Sequence, residues 1–469
     1  MTFRGVRGND ELRKSSVLQR ISCVLAVALL FCATAKAKPL SIAIVPGNSS
    51  MQPMIAAVKQ VKEREKGLED VRFHILPTGL EDHHKKILAE SDAALVHNMG
   101  REISAAVTEP VRQMARRGAK AFAVGASFEE GERQAGLTRD EDLRAYSQQG
   151  GVENFAAMIK RLLARDFGFD FDVGPPKEFP REGLWNPRTG VLYERFEDYA
   201  ADYLKARPEG RGRVWVGILF YRNTAQNGNS PLMLSLMDAL EKRGMNVLPA
   251  FGYPPDALLR NVLFSPEGKP RVAATVSFVF KMGGDPKKTT AALQELDAPT
   301  INVISLQNQT REEWEASPLG LNLSERTWQV AIPELVGAIA PTVVAVKESR
   351  RDEASGFEYI VEVPVEERVD RVADRIRKWV SLRYELNQNK RVAIIYYNYP
   401  PGKENIGASY LNVLPKSLWR ILTRLEQEKY TTTGRPESED ALFDLVRDHG
   451  VNMNSLTPGA LEKMVRGGR

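Results

Sequence analysis

Few residues in this chain have the type and spacing to do chemistry, and the densest group lies near its C-terminal end. The run Asn398 to Gly407, NYPPGKENIG, is a polar loop bounded by prolines and glycines. Ahead of it, Val392 to Tyr397 is short, apolar and rich in β-branched and aromatic residues, which predicts a buried strand. Behind it, Leu411, Leu414, Leu418, Ile421, Leu422 and Leu425 recur at helical spacing. Strand, loop and helix in this order put backbone N–H groups and a helix N-terminus at the C-terminal edge of a sheet, where open α/β folds bind ligands. Gly402 and Gly407 have the separation of a phosphate loop, but Ala408 and Ser409 stand where Lys and Ser or Thr are required. Lys403 lies too early to reach the β- and γ-phosphates, so no ATP site is expected. An ordinary strand-to-helix turn, with glycines for positive φ, is the plain alternative.

Histidines are the next candidates. Four of the five, His74, His83, His84 and His97, fall between residues 74 and 97. Neighbouring side chains on a helix diverge by about 100°, so the His83–His84 doublet is not expected to serve one metal easily. His97, at a strand end beside Asn98, is the better ligand candidate, with a hydrogen-bonded, unliganded imidazole as the alternative.

These groups need elements to hold them. Leu40–Val45, Val71–Leu76, Ala93–Val96 and Ala121–Val124 read as strands, with helical spacing between them. Alternation of this kind predicts a parallel, doubly wound sheet, with Gly47–Ser49 and His97–Gly100 at its ligand edge. Residues 129–212 read as a polar, mainly helical connector, with a good amphipathic helix over 152–167 and loop from Gly174 to Pro187. A second α/β unit over 213–365 follows from strands at 214–221, 246–251, 272–280 and 300–305, with a helix from Pro231 capped by Ser230. Glu366 to Leu386 is a helix whose arginines are interleaved with acids, a salt-bridged solvated face rather than a nucleic-acid surface. The fold class expected is thus α/β, with two or three doubly wound, mainly parallel sheet units and a helical connector. The divisions are 1–37, 38–128, 129–212, 213–365 and 366–469.

Residues 1–37 have the layout of an export signal. Arg4, Arg7, Arg13, Lys14 and Arg20 precede an apolar run from Ile21 to Ala33, and small-x-small sequences follow at Ala33–Ala35 and Ala35–Ala37. The apolar core is shorter than the ~20 residues of a membrane span. Export to the periplasm is expected, with an uncleaved inner-membrane anchor as the alternative. Without residues 1–37 the net charge falls from +5 to +1 and both cysteines, Cys23 and Cys32, are lost. The basic balance therefore gives no reason to expect nucleic acid, and thiolate metal sites, disulfides and a cysteine nucleophile are excluded from the mature chain.

The NYPPGKENIG run, continued by Ala408 to Val413, resembles the NYPPGKGN-type segment of the large subunits of tetrapyrrole metal chelatases, the CobN cobaltochelatase and magnesium chelatase H-subunit family. Glu404 departs from it, standing where glycine is common. Pro180–Tyr193, Val216–Asn223, Lys242–Pro254 and Arg311–Ile339 are similar to the same family. The resemblance implies a tetrapyrrole (corrin or porphyrin) substrate and a divalent metal, Co, Mg or Fe, in metal insertion or removal. Nucleotide hydrolysis would lie in separate AAA+ partners, met only in the cytoplasm. Family members run to more than twice this length, so a truncated or split chain is expected, with the catalytic body, possibly a separately encoded remainder, elsewhere and no catalytic residue carried over. Arg222, Asn223, Asn398, Tyr399 and Lys403, at strand ends, are the residues expected to touch the macrocycle periphery, loop bracing being the alternative for Asn398 and Tyr399. The competing readings are an exported two-lobed protein that binds a small ligand without catalysis, and an inactive remnant of a disrupted chelatase gene.

Overall fold

A computed structural model describes residues 38–394 and 414–449, apart from 78, 101–102, 229, 282–283, 308 and 352–357. The chain divides into two compact units, 1–371 and 372–469.

The larger unit holds two α/β sheets and a short parallel pair, Met99–Gly100 with Ala126–Ser127. In the first, β1 (Leu40–Val45), β2 (Val71–Ile75), β3 (Ala93–Val96), β4 (Lys120–Ala123) and β5 (Thr138–Arg139) lie in the order β2-β1-β3-β4-β5. All its neighbours are parallel. Strand side chains alternate between faces, so β1 serves two cores at once. Ile42 and Ile44 pack with Met54, Val58 and Val61 of the helix Met51–Arg64 and with Phe155, Ile159 and Leu162 of the helix Gly151–Phe167. Ala43 and Val45 pack on the other face with Leu88, Val111 and Met114 from the helices Asp82–Glu90 and Ala105–Arg116. Burial on both faces is what keeps such strands apolar throughout.

The second sheet has eight strands: β6 (Gly183–Trp185), β7 (Leu192–Tyr193), β8 (Trp215–Phe220), β9 (Asn246–Phe251), β10 (Ala274–Ser277), β11 (Thr300–Ser305), β12 (Ile339–Arg351) and β13 (Glu358–Pro364). Their order is β13-β12-β11-β10-β8-β9-β6-β7. The five central strands β9-β8-β10-β11-β12 are parallel. An antiparallel partner closes each side, β13 on β12 and the β6–β7 hairpin on β9. This amends the sequence reading, whose expected strands do not include β12 and β13. The segment around Trp185, expected as loop, is a sheet edge, and β10 is only four residues of the expected nine. Trp185 is buried against Phe220, with ring centroids 6.0 Å apart, and that apolar anchor draws the hairpin onto the sheet.

Both sheets start from the same plan. Among the parallel strands of each sheet the first, β1 or β8, is internal, the second lies to one side, and the later ones lie to the other. The chain reverses direction across the sheet between β1 and β3 and again between β8 and β10. Ligand crevices of doubly wound sheets form at such a switch point, beyond the C-terminal ends of the strands.

In the smaller unit the helices Leu414–Gln427 and Glu439–His449 are described, the former at the expected place. Arg435 stacks over Trp419, 4.1 Å from its ring centroid. The expected strand at 392–397 is not borne out where it is described. Residues 391–394 carry no regular structure, and Val392 and Ile394 are exposed. A strand must pair its N–H and C=O groups with a neighbour, and among the described residues of this unit there is no other strand. Asn398, Tyr399, Lys403 and the rest of the NYPPGKENIG loop lie outside the described residues, as do residues 1–37.

Candidate functional site

At the switch point of the second sheet the strand ends enclose a cavity of about 170 Å³. Phe220 at the end of β8 with Tyr221 and Asn223 after it, Phe278 and Lys281 after β10, and Ser305 and Gln307 at the end of β11 line it. Lys347 of β12 and Glu362 of β13 form its far side, and Ser49 ahead of the helix Met51–Arg64, with Gln52 and Pro53 in its first turn, reach it from the first sheet. Asn227 ties the two halves together: its Nδ2 donates to Ser49 O at 2.9 Å and its Oδ1 accepts from Gly151 N at 3.4 Å.

Lys281 is the chemical centre of this cavity. It follows Phe280, which adopts φ 74 in the left-handed region that non-glycine residues avoid, so local backbone strain turns the chain at this point. Its Nζ donates to Val303 O at 3.0 Å and to Gln329 Oε1 at 2.8 Å. The rings of Phe278 and Trp328 flank it at 5.7 and 5.8 Å. Burial disfavours the ammonium form and lowers the pKa to about 7, against the opposing pull of Glu362 and Glu325.

Gln329 is held by an uncommon device. The helical run from Leu323 to Val336 contains a π-helical turn at Thr327–Ala331, a feature frequent at functional sites. It places Glu325 and Gln329, both fully buried, on the inward face while Leu323 and Leu335 face solvent at 75% and 81% exposure. Polar groups take the inside because polar partners wait there. Gln329 Nε2 donates to Ser305 O at 3.1 Å, and Gln329 O accepts from Asn302 Nδ2 at 2.6 Å. Glu325 Oε1 accepts from Gln307 N at 2.6 Å. Glu362 accepts from Ser305 Oγ and lies 3.9 Å from Lys347 Nζ. A buried network of this kind fixes its members in place because each lost partner would leave a desolvated polar group.

Of the residues expected from the sequence, Asn223 lines the cavity. Arg222 has another role. Its guanidinium donates to Pro180 O, Phe179 O, Gln148 O and Gln149 Oε1, and it stacks 5.4 Å from the Phe179 ring centroid. It braces the connector against the second sheet and is not among the cavity-lining residues. His97 sits at the end of β3, as expected, but its ring lies close against Gly47, where a Cβ would fall 3.0 Å from the imidazole Nδ1. Burial lowers its pKa, keeping the ring neutral. It gathers no ligand set: among the described residues the group whose ligand atoms lie close enough together to hold a metal ion is Glu81, His83 and His84. That corrects the expectation for the doublet. The rings do not diverge but lie 3.7 Å apart, because His84 Nδ1 turns back to accept from Glu81 N and caps its own helix.

Sequence reasoning missed Lys281, Gln307, Glu325, Gln329, Lys347 and Glu362. One signal was available for the first: Lys281 ends the apolar run Val272–Phe280 as Arg222 and Asn223 end theirs.

A family model described as CobN/Magnesium Chelatase matches residues 144–466. The chain is 30% identical over 321 residues to the chloroplastic magnesium-chelatase subunit ChlH of Oryza sativa subsp. indica, covering 65% of this chain and 22% of that protein. It is 30% identical over 307 residues to the aerobic cobaltochelatase subunit CobN of Sinorhizobium sp, covering 64% and 24%. Its fold is similar to that of the catalytic subunit of cobaltochelatase from Mycobacterium tuberculosis, with a TM-score of 0.54 at 20% identity over 87% of this chain and 33% of that one. The chain thus spans about a quarter of the length of the curated relatives it matches.

Proposed function

Because the chain belongs to the CobN/magnesium chelatase family, we propose that it is the tetrapyrrole-binding portion of a large chelatase subunit acting in metal insertion or removal. The observation that carries this reading is the switch-point cavity. Apart from Ser49, Gln52 and Pro53, every residue lining it lies within the family-matched span. Its volume is well below the roughly 300–1,000 Å³ of pockets that bury most of a ligand. The cavity therefore takes a peripheral group while the ring stays outside it, and the affinity is weak. The metal, Co, Mg or Fe, is substrate. A base for the pyrrolic protons and a guiding ligand for the ion would come from the further region that the longer relatives have, with AAA+ subunits as partners if the chain works in the cytoplasm.

Titrating the purified chain into a porphyrin or corrinoid and following the tetrapyrrole absorbance tests the reading. A saturable change with a dissociation constant in the micromolar range or above, and no metal insertion by the chain alone, is expected. No spectral change at millimolar protein sinks it. Export is a separate proposal, supported by the tripartite layout of residues 1–37.

A further inference from the structure

We propose that the switch-point cavity is a binding site for a single carboxylate group, held by Lys281 with the side-chain amides of Asn223 and Gln307 as neutral donors. The proposal deepens the tetrapyrrole reading and rests on it only for the identity of the molecule that carries the carboxylate.

Charge is the first argument. Three ionisable side chains other than tyrosine line the cavity, Lys281, Lys347 and Glu362. Glu362 is engaged by Lys347 at 3.9 Å and by the Ser305 hydroxyl. That leaves Lys281 as the cation of the wall with no carboxylate in ion-pair contact among the described residues, Glu362 and Glu325 acting on it only from farther off. The groups that face its Nζ from the neighbouring elements are Glu362 of β13, Glu325 and Gln329 of the π-containing helix, Val303 O of β11, and the Phe278 and Trp328 rings.

Valence is the second. The protein offers Lys281 Nζ two acceptors, which is what a neutral amine can satisfy with its two hydrogens. An ammonium has a third hydrogen, and the open side of the residue is the cavity it lines. A carboxylate there supplies both the third acceptor and a negative charge in direct contact, adding to the distant pull of Glu362 and Glu325 that burial outweighs, so the site is built to become charged when an anion arrives.

Size is the third. A cavity of about 170 Å³ admits a carboxylate on a short alkyl arm and excludes a macrocycle. Gln307 stands ready as a donor because its backbone N is fixed on Glu325 and its side chain on Ser305 O, 3.1 Å away.

The test compares coproporphyrin, its methyl ester and propanoate on the wild type, Lys281→Met and Asn223→Asp, with thermal unfolding of each protein as a folding control. The acid is expected to bind wild type at least tenfold more tightly than the ester, and Lys281→Met to erase that preference. Asn223→Asp, an exposed position that brings a negative charge to the cavity mouth, should weaken the acid alone and carries the test if Lys281→Met does not fold. Calorimetry of acid binding at pH 8 in buffers of different ionisation heat should show uptake of close to one proton, absent in Lys281→Met. Equal affinity for acid and ester in the wild type, or a preference that survives both substitutions, overturns the proposal. Lys281-dependent binding of propanoate with no binding of either porphyrin supports the carboxylate site and removes the tetrapyrrole reading. Equal binding of both porphyrins with none of propanoate does the reverse.

Discussion

Lys281 Nζ and Gln329 Oε1 lie 2.8 Å apart in the interior, joining the loop after β10 to a π-helical turn 48 residues later in the chain. This one bond fixes the floor of the cavity, because Gln329 also holds Ser305 O and Asn302.

The same lysine makes stability depend on pH. The unfolded chain keeps its proton up to about pH 10.4, whereas the folded chain releases it near pH 7. Between these values the unfolded state binds more protons, so stability rises with pH, by up to about 1.4 kcal/mol per unit. The contribution is absent well below pH 7, grows between there and about pH 10.4, and is complete above that. Urea unfolding of wild type and Lys281→Met at pH 6.5, 7.5 and 9 isolates it: wild type should gain on the variant across the series. A constant difference would show that Lys281 is not buried as described.

Arg222 and Asn223 are adjacent but should behave oppositely. Arg222→Ala removes four hydrogen bonds to the connector and should cost about 2 kcal/mol, with tetrapyrrole affinity changed less than twofold. Denaturation and absorbance titration of that variant, set beside Asn223→Asp, separate a brace from a cavity wall. A large loss of affinity in folded Arg222→Ala would return the arginine to the site.

Two glycines test how closely the halves of the larger unit approach. Gly151 has φ 78, and a Cβ there would fall 2.9 Å from Gln226 O. Gly168 has φ 73 with open space around it. Gly168→Ala should cost about 1 kcal/mol for the left-handed conformation alone, and Gly151→Ala distinctly more, because the carbonyl it meets is backbone. Chemical denaturation of the two variants should rank them so.

Export predicts a mature chain beginning near Lys36 or Lys38. N-terminal sequencing of the extracytoplasmic fraction checks it, and an intact Met1 on a cytosolic product would end the idea.

The glycine loop at 402–407 lacks the lysine and hydroxyl of a phosphate loop, so equilibrium dialysis should find no micromolar ATP binding. Tight binding abolished by Lys403→Ala would show that lysine to be a phosphate ligand after all.

The sequence by itself determined the α/β class and most of its elements, because burial on both faces leaves a readable mark. Leu40–Val45, Asn246–Phe251 and Thr300–Ser305 are strands at the expected bounds. The helix at Gly151–Phe167 lies within one residue of its place. Family membership was legible too, in motifs whose residue order is independent of fold. Tertiary structure alone decided the rest. Gly183–Trp185 is a strand because Ala250 and Phe251, more than sixty residues away, offer it an edge, and no local pattern encodes a distant partner. The outward Leu323 and inward Glu325 invert the usual amphipathic rule, since the interior they face is polar. Lys281 gains its low pKa from burial among Phe278, Trp328 and strand β11. Desolvation is a property of surrounding matter in three dimensions, and a lysine at the end of an apolar run does not disclose it.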